Sequence, residues 1–305
     1  MKKKFLLILI PAAIIFLLCS SMYISHYHHS LFTKTFKNNI ERTTNNPSTK
    51  ENTTPQKVVS NTTSEVNKPE EIINHPPDIA TTQVKDRPLY EKEVFLTFDD
   101  GPSNKSTLKI LDILKENDVQ ATFFVVGKMA EQNSNNLKAI HDMGMDIENH
   151  SYSHDYKMYN SIESCIEDFN KCDAVLKELI NKDPSQILRF PGGSDNGVSK
   201  IDTMASIRKY FKDNGNYYID WNVSSTDAAP ILVPTAKIVE RVTEMCKNRK
   251  FVVILMHDVD SKTTTLEALP IIIKYLKEQG FVFRTFNDIT PTEENELVKL
   301  KIANR

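Results

Sequence analysis

Val94-Phe95-Leu96-Thr97-Phe98 runs directly into Asp99-Asp100-Gly101-Pro102, a short apolar stretch that stops at two carboxylates and a turn. A run of this length bounded by turn residues reads as a strand buried on both faces. The pattern recurs at residues 121–126, 144–148, 186–189, 217–223, 251–256 and 281–284. Helical patterns lie between these runs, at residues 106–117, 133–143, 162–181, 200–214, 234–248 and 266–279, several of them closed by Gly144, Gly215 or Gly280. Strand and helix in alternation predict an α/β fold of parallel strands with helical crossovers, either an open doubly wound sheet or a closed barrel. Seven strand candidates favour barrel-like closure. In both architectures the working site lies at the carboxyl ends of the strands.

The chain has 305 residues, and its 40% hydrophobic content is enough for a real core. A net charge of −2, from 38 basic and 40 acidic residues, gives no general attraction to phosphates, so no nucleic-acid partner is expected. Cys165 and Cys172 fall on one predicted helix about 10 Å apart, too far for a disulfide, and with Cys246 they read as core thiols. Lys2, Lys3 and Lys4 precede an apolar stretch over residues 5–24, broken only by Pro11, Ser20 and Ser21. Roughly twenty helical residues span about 30 Å, the thickness of a bilayer core. With its basic flank inside, residues 1–27 are expected to form a single-pass membrane anchor with the rest of the chain outside the cell. A cleaved secretory signal is the alternative, and export follows either way. Residues 28–90 are rich in Asn, Thr, Ser, Pro, Lys and Glu, and are expected to form a disordered linker with a coil dimension on the order of 40 Å. The folded domain is expected over residues 91–291, with a C-terminal tail at 292–305 and a monomeric state.

Five strand ends carry candidate chemistry. Asp99 and Asp100 face opposite ways unless the chain turns, and Gly101-Pro102 supplies a turn. One carboxylate can then hold a metal while the other stays free as a base; an ordinary acidic turn is the plain alternative. His150 and His154 are four residues apart, so on a helical turn both imidazoles face one way. Two histidines and a carboxylate leave coordination positions open, as catalytic metal sites require, although surface pairs at this spacing are common. Arg189 heads Phe190-Pro191-Gly192-Gly193-Ser194; it can hold a nearby carboxylate ionised, and glycine amides allow close approach to an oxyanion. Trp221 is the single tryptophan and precedes Asp227. His257, with a carboxylate partner, suits proton donation to a leaving group. Each has a bland reading singly; five polar clusters at five strand ends are harder to dismiss.

Thr97-Phe98-Asp99-Asp100-Gly101-Pro102, His150-Ser151-Tyr152-Ser153-His154, Arg189-Phe190-Pro191, residues 221–227 and Leu255-Met256-His257 resemble, in order and spacing, the motifs of the polysaccharide deacetylase family, the NodB-homology carbohydrate esterases. The resemblance extends over roughly residues 92–291. It implies a distorted (β/α) barrel of about seven parallel strands and metal-dependent removal of acetyl groups from glycans. It further implies that Asp99 is the general base on the attacking water, that Asp100, His150 and His154 hold one divalent ion, and that His257 is the general acid. By the same resemblance Arg189 orients Asp99, and Asp227 pairs with His257, with Asp220 as the alternative partner. A backbone amide near Gly192 assists the acetyl oxygen, and Pro191, Trp221 and Leu255 border the substrate. His-His-Asp suits Zn²⁺ and also Co²⁺, Mn²⁺ or Ni²⁺. Two departures from the family pattern stand out: Gly192-Gly193 follows the proline where an aromatic residue is usual, and Ala228 follows Asp227 where a tryptophan is usual. The expected substrate is N-acetylglucosamine in cell-wall peptidoglycan. Poly-N-acetylglucosamine, chitin-type oligomers or O-acetylated xylan are the enzymatic alternatives, and a catalytically silent glycan-binding domain is the non-enzymatic one.

Overall fold

The computed structural model describes residues 84–229 and 231–305. The expected anchor at 1–27 and residues 28–83 of the expected linker lie outside them, and among the described residues no helix is long and apolar enough to cross a membrane. The elements run β1 (Glu93–Asp99), α1 (Ser106–Glu116), β2 (Thr122–Val125), α2 (Gly127–Gln132), α3 (Ser134–Asp142), β3 (Asp146–Asn149), a 3-10 helix (Tyr156–Asn160), α4 (Ile162–Ile180) and β4 (Ile187–Leu188). They continue α5 (Ile201–Asp213), β5 (Tyr217–Tyr218), β6 (Val223–Ser224), α6 (Thr235–Cys246), β7 (Phe251–His257), α7 (Thr263–Glu278), β8 (Val282–Arg284) and α8 (Pro291–Lys299).

The strands pair in parallel in the order β5-β4-β3-β2-β1-β7-β6. The eighth, β8, joins β1 along Glu93–Phe95, while β2 joins it along Thr97–Asp99. The sheet curls into a half-barrel rather than closing, because β5 and β6 are its two edges. The single strand expected at 217–223 is therefore two: Tyr217 and Tyr218 pair with β4, and Val223 and Ser224 pair with β7. Residues 219–222 cross the gap between the edges, and there Ile219 forms an antiparallel bridge to Ala303 while the Asp220 amide donates to the Ile302 carbonyl at 2.8 Å. Residues 292–305, expected as a tail, instead belong to the domain: Leu297, Ile302 and Ala303 are buried. The last residues of the expected linker are also ordered against it, since Arg87 donates to Glu93 at 2.9 Å and to Glu293 of α8 at 2.8 Å.

Strand alternation sorts the core into two layers. Val94, Leu96 and Phe98 of β1 face outward into a cluster with Leu111 and Leu114 of α1 and Ile272 of α7. Phe95 faces inward with Phe124, Val253, Phe286 and Leu297, and the rings of Phe95 and Phe286 stack at 4.7 Å. Each such buried side chain contributes roughly 1.5–3 kcal/mol of transfer free energy. The same parity points Thr97 and Asp99 inward above Phe95, so β1 delivers its last residue to the mouth of the half-barrel.

On β3 the inward positions carry Asp146 and Glu148, both buried. Thr122 Oγ1 and the Phe286 amide donate to Asp146, at 2.8 and 3.0 Å, and Lys182 Nζ lies 3.6 Å from Glu148 Oε1. Glu148 Oε2 has no hydrogen-bond partner. Burial, reinforced by the neighbouring Asp146 charge, pushes the Glu148 carboxyl well above the usual carboxylate range. A carboxyl raised on folding contributes stability that is complete below its unfolded pKa and lost as pH rises through the folded value. Glu148→Gln should therefore flatten this loss: between about pH 5 and about pH 9 its melting temperature should fall less than that of the wild type. Equal slopes in thermal melts followed by circular dichroism would contradict it.

Candidate active site

Asp100, at the carboxyl end of β1, and His150 and His154, after β3, bring one ligand atom each within 4.8 Å of one another. Asp100 Oδ1 lies 3.5 Å from His150 Nε2 and 3.1 Å from His154 Nε2. The histidines do not share a helical turn, as their spacing suggests; they flank a loop in which Ser151 and His154 have φ of 70° and 52°. Asp100 is left-handed as well, with φ of 74°, so the turn that redirects its side chain begins at Asp100 itself. Local hydrogen bonds hold the histidine loop. Asn149 Oδ1 accepts the Ser151 amide at 2.8 Å, and Asp168 Oδ2 accepts those of Tyr152 and Ser153 at 2.9 and 3.0 Å.

The donor chemistry fits a divalent cation. His150 Nδ1 donates to the Arg189 carbonyl at 2.8 Å, which leaves the Nε2 lone pair facing Asp100, the usual way a ligating imidazole is oriented. Burial opposes the charge on Asp100, but the hydrogen bonds and charges of both imidazoles outweigh it and hold the carboxyl far below the usual range. Burial likewise opposes the His154 proton, and Asp100 outweighs it, raising that imidazole. The carboxylate is thus held ionised where the three ligand atoms converge, and a divalent ion there would take the place of the imidazole protons.

Asp99 is the second carboxylate at this end. Its Oδ1 accepts from Arg189 Nη1 at 2.7 Å, and its Oδ2 lies 3.6 Å from His150 Nε2. Arg189 is fully buried. Its Nη1 also donates to Thr97 Oγ1 at 2.7 Å, its Nε to the Ile219 carbonyl at 3.0 Å and its Nη2 to the Asp220 carbonyl at 3.2 Å. The guanidinium lies over the Phe124 ring, 4.0 Å from its centroid. On the other side of β1, His257 of β7 is the register partner of Asp99. His257 Nδ1 donates to Asp227 Oδ1 at 2.7 Å, and the His257 amide to Asp227 Oδ2 at 2.9 Å. Ser225 and Thr265 hydroxyls complete the hold on Asp227, at 2.7 and 2.9 Å. Between the two aspartates considered for His257, geometry selects Asp227; Asp220 accepts instead from the Ser194 amide at 2.8 Å.

Residues 86–210 match the polysaccharide deacetylase family. A peptidoglycan-N-acetylglucosamine deacetylase of Bacillus cereus is 30% identical over 203 residues, which are 65% of this chain and 70% of that protein. The chain belongs to the polysaccharide deacetylase family. Among solved structures, the catalytic domain of peptidoglycan N-acetylglucosamine deacetylase from Eubacterium rectale superposes with a TM-score of 0.61 at 33% identity, covering 70% of this chain and 94% of that one. A Streptococcus mutans CE4 esterase does so with a TM-score of 0.58 at 30% identity, covering 64% and 86%.

Within this deacetylase-family domain, the Gly192-Gly193 departure has a local cause. Gly193 has φ of 84°, and a Cβ there would lie 3.1 Å from Trp221 and 3.3 Å from Asp220 Oδ1. Gly192 has φ of 78°, and its missing side chain faces the Tyr156 hydroxyl, 3.1 Å from where a Cβ would stand. Tyr156 is an exposed aromatic whose ring lies 6.0 Å from that of His154. The Pro191 carbonyl accepts from Tyr159 Oη at 2.9 Å and the Trp221 ring lies 5.8 Å from the Arg189 guanidinium, whereas Leu255 is on β7, two residues before His257. A cleft of about 650 Å³ opens beside Asp100 and His154, lined by Asn104, Lys128, Gln132, Asn133 and Asp260. None of these, nor Tyr156, is marked in the sequence, because they sit on helix ends and loops with no strand-end signal.

Burial opposes the His257 proton, but the hydrogen bond and charge of Asp227 outweigh it and raise the imidazole to about 9. The group therefore keeps its proton through neutrality and loses it as pH rises through that value. In Asp227→Asn the supporting charge is gone and burial acts alone, so the His257 ring signals in NMR should titrate well below the wild-type value, near or under the ordinary histidine range. An unchanged midpoint would show that Asp227 does not hold the proton.

Proposed function

We propose that this chain hydrolyses the acetamide of N-acetylglucosamine units in cell-wall peptidoglycan, using one divalent ion held by Asp100 Oδ1, His150 Nε2 and His154 Nε2. The observation that carries this reading is the convergence, at one mouth, of a three-ligand set, a carboxylate aimed by a buried arginine and an imidazole that keeps its proton. A divalent ion at such a site supplies Lewis acidity toward the acetyl oxygen and acidifies water.

The chain's own groups divide the proton work. Asp99, fixed through Oδ1 by Arg189, turns Oδ2 toward the ligand set and accepts the proton of the attacking water. His257 donates from Nε2 to the leaving glucosamine nitrogen, since its Nδ1 is committed to Asp227. Among the described residues the Gly193 amide is tied to the Phe190 carbonyl at 2.8 Å and the Ser194 amide to Asp220, whereas the Gly192 amide has no such partner and is the donor available to the developing oxyanion. Trp221 and Leu255 border the methyl group, and the Tyr156 ring offers a flat face for a sugar. A silent binding domain has no use for a paired base and acid around a metal site. The relatives from Bacillus cereus and Eubacterium rectale, named as peptidoglycan N-acetylglucosamine deacetylases, support the choice of substrate. The basic-flanked apolar N-terminus supports an anchored protein working outside the membrane, and the polar stretch after it supports a tether that lets the domain reach the wall.

Purified full-length protein stripped with a chelator should release no acetate from wall glycan and should regain release on adding Zn²⁺, Co²⁺, Mn²⁺ or Ni²⁺. Parallel assays on poly-N-acetylglucosamine, chitin oligomers and acetylated xylan rank the substrates. Asp99→Asn should lower kcat by about 10²–10⁴ while metal stoichiometry stays at the wild-type value. A metal-replete wild type that releases no acetate from any of these glycans defeats the proposal.

A further inference from the structure

Asp220 is buried beside the catalytic groups yet has no part in the proton chemistry. Its backbone and its side chain face different tasks. The carbonyl accepts from Arg189 Nη2 at 3.2 Å, so it belongs to the cage around the arginine that aims Asp99. Its carboxylate accepts from the amide of Ser194 at 2.8 Å and from the Ser194 hydroxyl, which fixes the loop carrying Gly192 and Gly193. A Cβ at Gly193 would lie 3.3 Å from Asp220 Oδ1 and 3.1 Å from the Trp221 ring, tighter than ordinary contact, and its φ of 84° favours glycine as well.

A buried carboxylate needs a cation, and Arg189 spends its Nη1 on Asp99 and Thr97. The cation that meets Asp220 is Arg305, whose Nε lies 2.8 Å from Asp220 Oδ2 and 3.2 Å from both Ser194 Oγ and Asp195 Oδ2. Arg305 is brought there by residues 302–304, laid along β5 and its continuation: the Asn304 amide donates to the Tyr218 carbonyl at 3.1 Å, Asn304 Oδ1 accepts the Tyr218 amide at 3.1 Å, and Tyr218 Oη donates to the Arg305 carbonyl at 2.7 Å. Arg208 adds a donation to the Ser194 carbonyl at 2.6 Å from α5.

We propose that Arg305 is a positioning residue for the hydrolytic site: through Asp220 and Ser194 it sets the height of the 192–194 loop, and hence the aim of the Gly192 amide. This rests on the hydrolytic reading of the site given above. Removing the guanidinium leaves a buried carboxylate without its counter-ion and frees the loop. Small displacements of an oxyanion donor are expensive in rate, while ground-state binding of the glycan depends on other surfaces.

The test uses full-length, zinc-loaded protein, assayed well below the melting temperature of each variant. Arg305→Ala should lower kcat for acetate release by about tenfold or more with KM within about twofold, and zinc affinity should not change. Arg305→Lys should recover most of the rate. Asp220→Asn should match the loss, and the double variant should be no worse than the single ones, the non-additivity expected of one coupled unit. Hydrogen exchange at the Ser194 amide, read by NMR independently of turnover, should quicken in Arg305→Ala and return in Arg305→Lys. If wild type releases acetate and Arg305→Ala does so equally well, or if Ser194 exchange is unmoved, the latch is refuted. If wild type itself releases none, the hydrolytic reading falls, and the exchange result still decides whether Arg305 holds the loop.

Discussion

A guanidinium with no solvent exposure lies at the centre of the half-barrel, and the site is arranged around its needs. Arg189 is a charge that water does not reach, which is tolerable only with a partner charge and with its donors satisfied. Asp99 supplies the charge; Thr97, Ile219 and Asp220 supply the remaining acceptors, and Phe124 covers a face. These groups come from β1, β2 and the segment crossing the gap after β5. Losing one partner of such a pair typically costs about 3–5 kcal/mol, because the other charge is stranded. The arginine's own carbonyl, in turn, receives His150 Nδ1, so the residue that aims Asp99 also fixes the tautomer of a metal-ligand candidate.

The two carboxylates nearest the mouth show how one motif produces unlike groups. Asp99 follows strand parity and points inward to a fixed cation. Asp100, one residue on, is rotated by a left-handed backbone toward two imidazoles. Across the strand pair, His257 is kept protonated by a third carboxylate, Asp227, which four donors hold in place. On neighbouring strands at one register level, Asp99 thus faces a cation and His257 an anion.

Much of this is legible in the sequence, because an apolar run that stops at polar residues marks both a strand and its working end. Asp99, Arg189 and His257 follow from that rule, and Asp100, His150 and His154 from their residue types. What escapes it depends on partners distant in the chain. Tyr217 to Val223 is apolar enough for one strand, and only the arrival of Ile302 and Ala303 divides it in two. Half-barrel and closed barrel differ in whether β5 meets β6, about which local periodicity is silent. The histidine spacing suits a helical turn; Asn149 and Asp168 make it a loop by capturing its amides. The sequence favours Asp227 over Asp220 as the partner of His257 only through the resemblance, and in the structure the two are separated by where Ser194 and His257 lie.

Asp100, Ser151 and His154 all hold left-handed backbones, a conformation that costs non-glycine residues about 1–3 kcal/mol each and persists only where surrounding bonds enforce it. That enforcement comes from amide and carboxylate contacts within the protein, so the ligand cradle is shaped by folding alone. In this it differs from small zinc modules, whose binding energy is their folding energy. A divalent ion held there, as proposed, would meet ligand atoms whose spacing the surrounding hydrogen bonds set.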